Sequence, residues 1–224
     1  KDLKTISTLG SAAVGSTKLS ALGKTSREIR TFLQPIAIDL HMIGNPWGNY
    51  NVYLSTAMVP GVIMVFVFLL TPYSIGTELK FHRSKQWIKM ANDNIHLAVA
   101  GKMLPLTILF TLVMWCFEFY IFYGLGFPHP GGVIPILLVG FLSVLACQCF
   151  GIFIFGLLPS LRMSMSICSL WSVLSFSVCG ATYPVFAMDS MLQSLAQIFP
   201  LRHYYMIYQM CIFNGYPLSY AWFH

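Results

Sequence analysis

The stretch GTELKFHRSKQWIKMANDN, Gly76 to Asn94, decides how this chain is organised. It collects positive charge in a chain that otherwise avoids it. Four of the thirteen Lys and Arg residues lie in these positions, namely Lys80, Arg83, Lys85 and Lys89. Long apolar runs with almost no charge lie on either side, a pattern typical of a loop between two membrane spans.

The composition of the whole chain supports this interpretation. Of its 224 residues 57% are hydrophobic and only 9% are charged, whereas about 25% of the residues of a soluble domain are charged. The formal net charge of +6 therefore indicates orientation in a membrane and not binding of nucleic acid. The sequence predicts an all-α polytopic membrane protein whose surroundings are the lipid bilayer.

Apolar runs that approach the length needed to cross a bilayer predict four spans. They cover about residues 56–75, 103–123, 133–158 and 163–181. Residues 76–100 form a predicted elbow between the first two spans. Residues 184–215 predict a re-entrant or interfacial hairpin, because their helical segments are too short and too polar to span. Residues 55–224 together form the predicted transmembrane domain.

The region before the first span has a different composition. Residues 1–54 are rich in Ser, Thr, Gly and Lys, and the segment Ile36–Gly44, IAIDLHMIG, alternates apolar and other residues as a strand does. We interpret residues 1–54 as the C-terminal part of a mixed α/β domain outside the membrane. The chain begins without Met and ends as a new apolar run begins, which indicates a fragment with spans missing at its ends.

The distribution of Lys and Arg predicts the orientation of the spans. The basic loop 76–102 and Arg162 lie in the cytoplasm, and residues 1–54 and 184–215 lie outside it. This assignment agrees with alternating spans, and a long translocated domain is exempt from the rule.

The elbow can be drawn as one amphipathic helix. Phe81, Ile88 and Ile95 recur every seven residues with Trp87 beside them, which predicts a helix that lies flat on the membrane surface. Either Asp93 or Asn94 is a suitable cap for the helix that follows. Two interpretations remain open: a basic loop that only anchors the membrane surface, and a docking element for a cytoplasmic partner.

Glu118 is the acidic residue inside a predicted span. Burial of a charged carboxylate costs several kcal/mol unless it is paired or hydrated. We expect hydration at the interface or a hydrogen bond from a hydroxyl of a neighbouring helix, with a proton relay as the alternative.

No signature of catalysis or metal binding is present in the sequence. The six cysteines lie mainly in apolar runs, where Cys is a small buried hydrophobe, and no His pair has metal-ligand spacing. Sequence motifs of serine hydrolases, zinc peptidases and P-loop nucleotide sites are absent. We predict no metal, no cofactor and no catalytic residue, so any nucleotide would bind another chain or domain.

Several short motifs occur in an order that resembles a known family. They are Asn45-Pro46 with Asn49-Tyr50, Glu78, Gly101-Lys102, FPLRHY over residues 199–204, and Asn214-Gly215. Their order and the layout of the spans resemble the membrane subunit of an ABC type-2 exporter, of the bacterial drug- or lipid-efflux kind with a large external domain. One departure stands out: the family commonly has Gly-Thr where this chain has His82-Arg83.

The resemblance implies a permease and not an enzyme. Two such halves form a homo- or heterodimer with cytoplasmic ABC ATPase subunits that bind ATP and Mg, in the bacterial inner membrane. The elbow would receive the ATPase movement, and the substrates would be amphiphilic compounds, drugs, lipids or glycans. The implied coupling residues are Glu78, Phe81, Arg83, Lys85, Trp87, Ile88 and Lys89. The implied hairpin positions are Pro200, Arg202, Tyr204 and Gly215.

Two other functions compete with this one. An ion-coupled secondary transporter or a channel would act without an ATPase, but such proteins keep ionisable groups near the midplane of the membrane, and Glu118 is off-centre. A membrane enzyme that acts on lipids would need converging His, Asp or Ser residues, which the loops do not offer.

Overall fold

The structure, a computed structural model, describes residues 14–23, 25, 28–29, 50–181, 183 and 185–224. The chain divides into two units, Lys1–Ile43 and Gly44–His224. In the first unit residues 14–21 are helical. The strand predicted over Ile36–Gly44 lies outside the described residues. Since the described part of the chain contains no strand, nothing in it supports the predicted mixed α/β domain.

The second unit is built from helices. We number them α1 Tyr50–Lys80, α2 Ser84–Met90, α3 Ile95–Phe119, α4 Val133–Leu157, α5 Leu161–Val178, α6 Ser190–Ala196 and α7 Pro200–Ile207. Within the described residues four helical stretches are long and apolar enough to cross a membrane: Leu54–Lys80, Ile95–Gly124, Val133–Leu157 and Leu161–Val178. This is the all-α architecture of a polytopic membrane protein.

Helix α1 is the centre of the bundle, and it packs against α3, α4 and α5. It runs antiparallel to α5, because Gly76 lies against Leu161 at one end and Gly61 lies against Phe176 at the other. A Cβ atom on Gly76 would come within 2.7 Å of Leu161. Small residues at such contacts let two spanning helices approach closely.

The helices around the elbow are longer than the sequence predicted. Helix α1 continues past the predicted end at residue 75 to Lys80, and α3 begins at Ile95 and not at residue 103. Only residues 81–94 separate the two helices, so the polar ends of α1 and α3 lie within the predicted elbow 76–100. Hydropathy marks where an apolar run ends, but backbone hydrogen bonding continues through polar residues until a cap stops it.

The start of α1 differs from the prediction in the same way. The helix begins at Tyr50, within the segment that was assigned to the external domain up to residue 54. Its first turn already belongs to the bundle, because Val52 is buried in the main core. The Asn- and Gly-rich sequence before it marks the link into α1.

The elbow is not a single helix. Phe81 lies in the turn after α1, Ile88 lies in α2 and Ile95 is the first residue of α3. The stripe of three residues predicted to lie on one helix face is therefore wrong. Its seven-residue spacing spans two helix ends, which the periodicity alone did not reveal.

The first elbow turn closes α1 with a Schellman motif. The Arg83 N–H donates to the Glu78 carbonyl at 2.9 Å, and the His82 N–H donates to the Leu79 carbonyl at 3.1 Å. In this motif the residue after the cap is left-handed, and it is usually Gly. Here His82 holds that position with φ 55°. The departure noted in the sequence therefore places a side chain where glycine is preferred.

The second elbow turn repeats the same geometry after α2. The Asp93 N–H donates to the Ile88 carbonyl and the Asn92 N–H donates to the Lys89 carbonyl, with Asn92 left-handed at φ 53°. The Asn94 side chain then accepts from the first N–H groups of α3. Asn94 is the cap of α3, as one of the two predicted alternatives had it.

The segment after α5 folds as short helical pieces. A 3₁₀ turn covers Val185–Ala187, α6 follows, and α7 continues as a π-helix over Tyr208–Phe213. None of these pieces is long enough to cross a bilayer. Helix α7 packs against α1, α4 and α5, so this part of the hairpin is inserted into the bundle.

The left-handed His82 gives a testable prediction. Because an L-residue in this conformation costs about 1 kcal/mol relative to Gly, His82→Gly should raise the free energy of unfolding by about that amount. The matched control is His96→Gly in the first turn of α3, where Gly weakens a helix. Thermal unfolding in detergent measures both. An equal loss of stability in the two variants would contradict the assignment of the turn.

Candidate functional site

Lys102 fastens the elbow to the spanning helices. It lies in the second turn of α3, and its Nζ atom donates to Glu78 Oε1 at 2.6 Å and to the Ser74 carbonyl at 2.6 Å, both on α1. The side chains of Lys102 and Glu78 are 22% and 15% exposed, so water screens the pair only partly. Two spanning helices are therefore joined at their elbow ends by one ammonium group.

Helix α2 is attached to the same ammonium group. The Lys102 Nζ atom lies 5.2 Å from the centre of the Trp87 ring, a cation–π distance. Trp87 is the buried residue of α2 and packs in a small core with Ile75, Met103 and Phe155. We call the group Glu78, Lys102 and Trp87 the elbow clamp, because it holds α1, α2 and α3 together.

Arg83 makes a weaker contribution to this cluster. Its Nε atom lies 3.6 Å from Glu78 Oε2, and its side chain is 57% exposed. Exposed ion pairs of this kind contribute little stability. Glu78 is thus balanced by two cations, of which Lys102 is the close one.

The outer face of α2 is exposed and basic. The exposed residues of this helix include Lys85, Gln86, Lys89 and Met90. The Phe81 ring beside it is 58% exposed, with Lys80 Nζ at 5.7 Å from its centre and Arg83 Cζ at 5.6 Å. Such a surface offers an apolar residue framed by positive charge to whatever contacts it.

The structure sorts the residues predicted for the elbow into two groups. Glu78, Arg83 and Trp87 come together in or beside the clamp, while Lys85, Lys89 and Phe81 form the outer surface. Ile88 lies partly buried against the small core. Sequence analysis named Lys102 only as part of a short motif and did not predict its pairing with Glu78. The pairing follows from the extension of α1 and α3 into the elbow, which places the lysine opposite α1.

A second polar site lies inside the bundle. Glu118 is only 1% exposed, and Tyr204 on α7 donates a hydrogen bond to its Oε1 atom at 3.1 Å. Of the two predicted settings, hydration and a hydroxyl of a neighbouring helix, the structure has the hydroxyl. The Oε2 atom has no partner among the described residues, and it lies against Gly140 of α4.

Other polar groups continue along the contact between α3 and α4. The Thr107 hydroxyl donates to Gln148 Oε1 at 2.7 Å. The Gln148 Nε2 atom and the Thr111 hydroxyl are buried without a partner in the described part of the chain. A buried polar group without a partner costs about 1–3 kcal/mol, so these two groups have hydrogen-bonding capacity that the described residues leave unused.

Both helices that carry the Glu118–Tyr204 pair change to π-helix just beyond it. The π segments are Tyr120–Gly124 and Tyr208–Phe213, and the Gly131 N–H in the loop before α4 donates to the Ile212 carbonyl of the second segment at 3.1 Å. Short π segments occur frequently at functional sites. Nothing in the sequence pattern indicates them.

The remaining hairpin positions are distributed along α7 and the loop after it. Pro200 occupies the start of the helix, and Gly215 is left-handed at φ 72° beside Pro130. Arg202 is buried, and its Nε and Nη1 atoms have no partner among the described residues. Burial lowers the pKa of Arg202 from its usual value. Only Tyr204 of the four predicted residues touches the second polar site.

The elbow clamp yields a prediction for a double-mutant cycle. Because the Lys102–Glu78 pair is close and partly buried, Glu78→Gln and Lys102→Met should show a coupling of about 1–2 kcal/mol in the free energy of unfolding. The matched cycle of Glu78→Gln with Arg83→Met should give about 0.5 kcal/mol or less. Chemical or thermal unfolding in detergent measures both. Equal coupling in the two cycles would show that Lys102 has no special part.

Comparison with known proteins agrees with this architecture. The family described as ABC-2 family transporter protein matches residues 3–224. No curated protein and no solved structure matches the chain significantly. Since the match covers nearly the whole chain, the protein belongs to the ABC-2 family of transporter membrane proteins.

Proposed function

We propose that this chain is the permease subunit of an ATP-driven exporter, in which α2 is the surface that receives movement from a cytoplasmic ATPase. Membership of the ABC-2 family makes the chain a membrane component of transport and implies partnership with ABC ATPase subunits in general. The observation that carries the more specific proposal is the elbow clamp. It fixes one side of α2 to two spanning helices and leaves the other side exposed.

The clamp suits α2 to transmit force. A short helix that is joined only by flexible loops absorbs a push by moving alone. Here Trp87 buries the inner face of α2, and Lys102 ties that face to α1 and α3. A displacement of α2 would then move both spanning helices together, as one rigid body.

The outer face of α2 supplies the contact surface. Lys85 and Lys89 present positive charge, and Phe81 and Met90 present exposed apolar area. Basic residues at a contact surface favour an acidic partner and set the rate of association more than its final affinity. This surface suits a groove on an ATPase subunit that combines acidic residues with an apolar pocket.

The positive charge of the elbow also supports an orientation of the protein in the membrane. The elbow and Arg162 lie on the cytoplasmic side by the positive-inside rule, in which case residues 1–54 and 184–215 lie outside. We place the protein in a bacterial inner membrane, as one half of a dimeric permease. The partner ATPase binds ATP and Mg, and amphiphilic compounds, drugs, lipids or glycans are moved outward.

Ion-coupled transport is the second candidate, and the buried Glu118 is the observation that favours it. Intramembrane carboxylates mark ion pathways in secondary transporters. Transport that stops on ATP depletion and survives collapse of the proton gradient supports the exporter. The reverse result supports the ion-coupled alternative.

The outer face of α2 can be tested by charge reversal. In the full-length protein assembled with its ATPase subunits, Lys85→Glu with Lys89→Glu should weaken binding of the ATPase about tenfold, because like charges then face each other. Lys18→Glu, an exposed lysine of the first unit, is the matched control and should change nothing. Unchanged binding of the ATPase by the elbow variant would contradict the docking surface.

The clamp predicts a different effect in the same assay. Glu78→Ala and Lys102→Met leave the outer face of α2 intact, so the ATPase subunits should still bind. ATP hydrolysis should no longer respond to transport substrate, because α2 moves without α1 and α3. Substrate-stimulated hydrolysis at the normal level in both variants would rule out transmission through the clamp.

A further inference from the structure

A groove lies on the outside of the bundle between α3 and the first turns of α4. Its volume is about 300 Å³, which is at the lower end of the range for ligand sites. The walls include Leu112, Trp115, Phe119, Tyr123, Val133 and Leu137. Several of them are among the exposed apolar side chains, such as Phe119 at 63%. Since α3 and α4 are candidate spans, an apolar groove on their outer surface is suited to an alkyl chain.

Glu118 belongs to the lining of this groove. Its Oε1 atom accepts from Tyr204, and its Oε2 atom has no partner among the described residues. The described residues that line the groove include no Lys, Arg or His. Glu78, at the elbow end of α1, contrasts with it because Lys102 and Arg83 balance its charge. Among the described residues that line the groove, the buried carboxyl therefore has no cation of the kind that balances Glu78.

The neighbouring residues hold the carboxyl in place. A Cβ atom on Gly140 would lie 2.6 Å from Glu118 Oε2, so glycine is what allows the carboxyl to sit against α4. The Trp115 Nε1–H donates to the Leu137 carbonyl at 2.9 Å and joins the two helices beside the groove. The site thus combines apolar walls with one buried acceptor that has no partner among the described residues.

Such an acceptor selects the head group of a ligand. An N–H donor that carries positive charge makes a charge-assisted bond to a carboxylate, about twice as strong as a neutral one. In a low-dielectric setting a bound ammonium also offsets the cost of ionising the carboxyl. An anionic head group would be repelled, and a purely apolar molecule would leave the carboxyl unpaired.

We propose that the groove between α3 and α4 binds amphiphiles whose head group is an ammonium with N–H donors, with the ammonium on Glu118 and the alkyl chain along the aromatic walls. This inference rests on the proposed export function and names a substrate class for it. A membrane-resident amine lipid and a foreign amphiphilic amine share this chemistry.

The chain carries its own reporter of the site. Cys116 lines the groove and is exposed, and Cys149 on α4 is exposed but does not line it. Both thiols are free. The protein is placed in phosphatidylcholine nanodiscs and treated with a membrane-soluble maleimide. Peptide mass spectrometry then gives the rate at which each cysteine is modified. The rate at Cys116 reports occupancy of the groove, and the rate at Cys149 is the internal control.

The matched probes are dodecylamine, which is protonated at neutral pH, and dodecanol. At equal mole fraction in the membrane, dodecylamine should slow modification of Cys116 about tenfold more than dodecanol does, a difference that one charge-assisted bond supplies. Cys149 should react at an unchanged rate with both probes. In Glu118→Gln, which keeps the shape and the acceptor for Tyr204, the two probes should act alike. Gly140→Ala should have the same effect, because it displaces the carboxyl.

Three results would overturn the proposal. They are equal protection of Cys116 by dodecanol, full protection by dodecylamine in Glu118→Gln, and a Cys116 that does not react before any probe is added because a second copy of the chain covers it. The assay needs neither ATP nor the ATPase. If dodecylamine does not protect Cys116 but ATP hydrolysis is still coupled to transport, the ammonium site is rejected and the exporter is not. If dodecylamine protects Cys116 but no coupled hydrolysis is found, the exporter is rejected and the site is not.

The lipid composition of the nanodiscs distinguishes the two sources of the ligand, an amine lipid of the bilayer and a foreign amphiphilic amine. If phosphatidylethanolamine added to the nanodiscs protects Cys116 by itself, the ligand is an amine lipid of the bilayer. If only dodecylamine protects, the ligand is a foreign amphiphilic amine. Both results support an ammonium site.

Discussion

The ammonium group of Lys102 is the point on which the organisation of the elbow depends. It lies at the edge of the bundle, where water covers it only in part, so it needs acceptors from the protein. Glu78 and the Ser74 carbonyl supply them from α1, and the Trp87 ring supplies a third contact from α2. One requirement of charge pairing thus sets the relative position of three helices and leaves the outer face of α2 free for a partner.

The partly buried Glu78 and the buried Glu118 differ in their partners, and we assign them different roles. Glu78 is paired within the chain, and this pairing stabilises the surface that we assign to coupling. Glu118 receives one hydrogen bond from Tyr204, and its second oxygen has no partner in the described residues. We assign the first to structure and transmission and the second to ligand binding, because an unpaired acceptor is the one that a ligand can still satisfy.

The general fold was accessible from the sequence because long apolar runs report membrane spans directly. The four spans and the all-α class of the second unit follow from length and hydropathy. The elbow was predicted only in outline, since polarity ended the predicted spans at residue 75 and residue 103 although helical hydrogen bonds continue to Lys80 and begin again at Ile95. The Lys102–Glu78 pair and the π segments depend on contacts between distant residues, which no local pattern encodes.

The elbow clamp should make α2 move as one body with the spanning helix α3. Pulsed electron spin resonance between labels at Gln86 on α2 and Ala100 on α3, both exposed, tests it in the full-length protein assembled with its ATPase subunits. We expect one narrow distance distribution that is the same without nucleotide and with ATP, and that broadens in Lys102→Met. A distance between α2 and α3 that changes with nucleotide in the unmodified protein would contradict it.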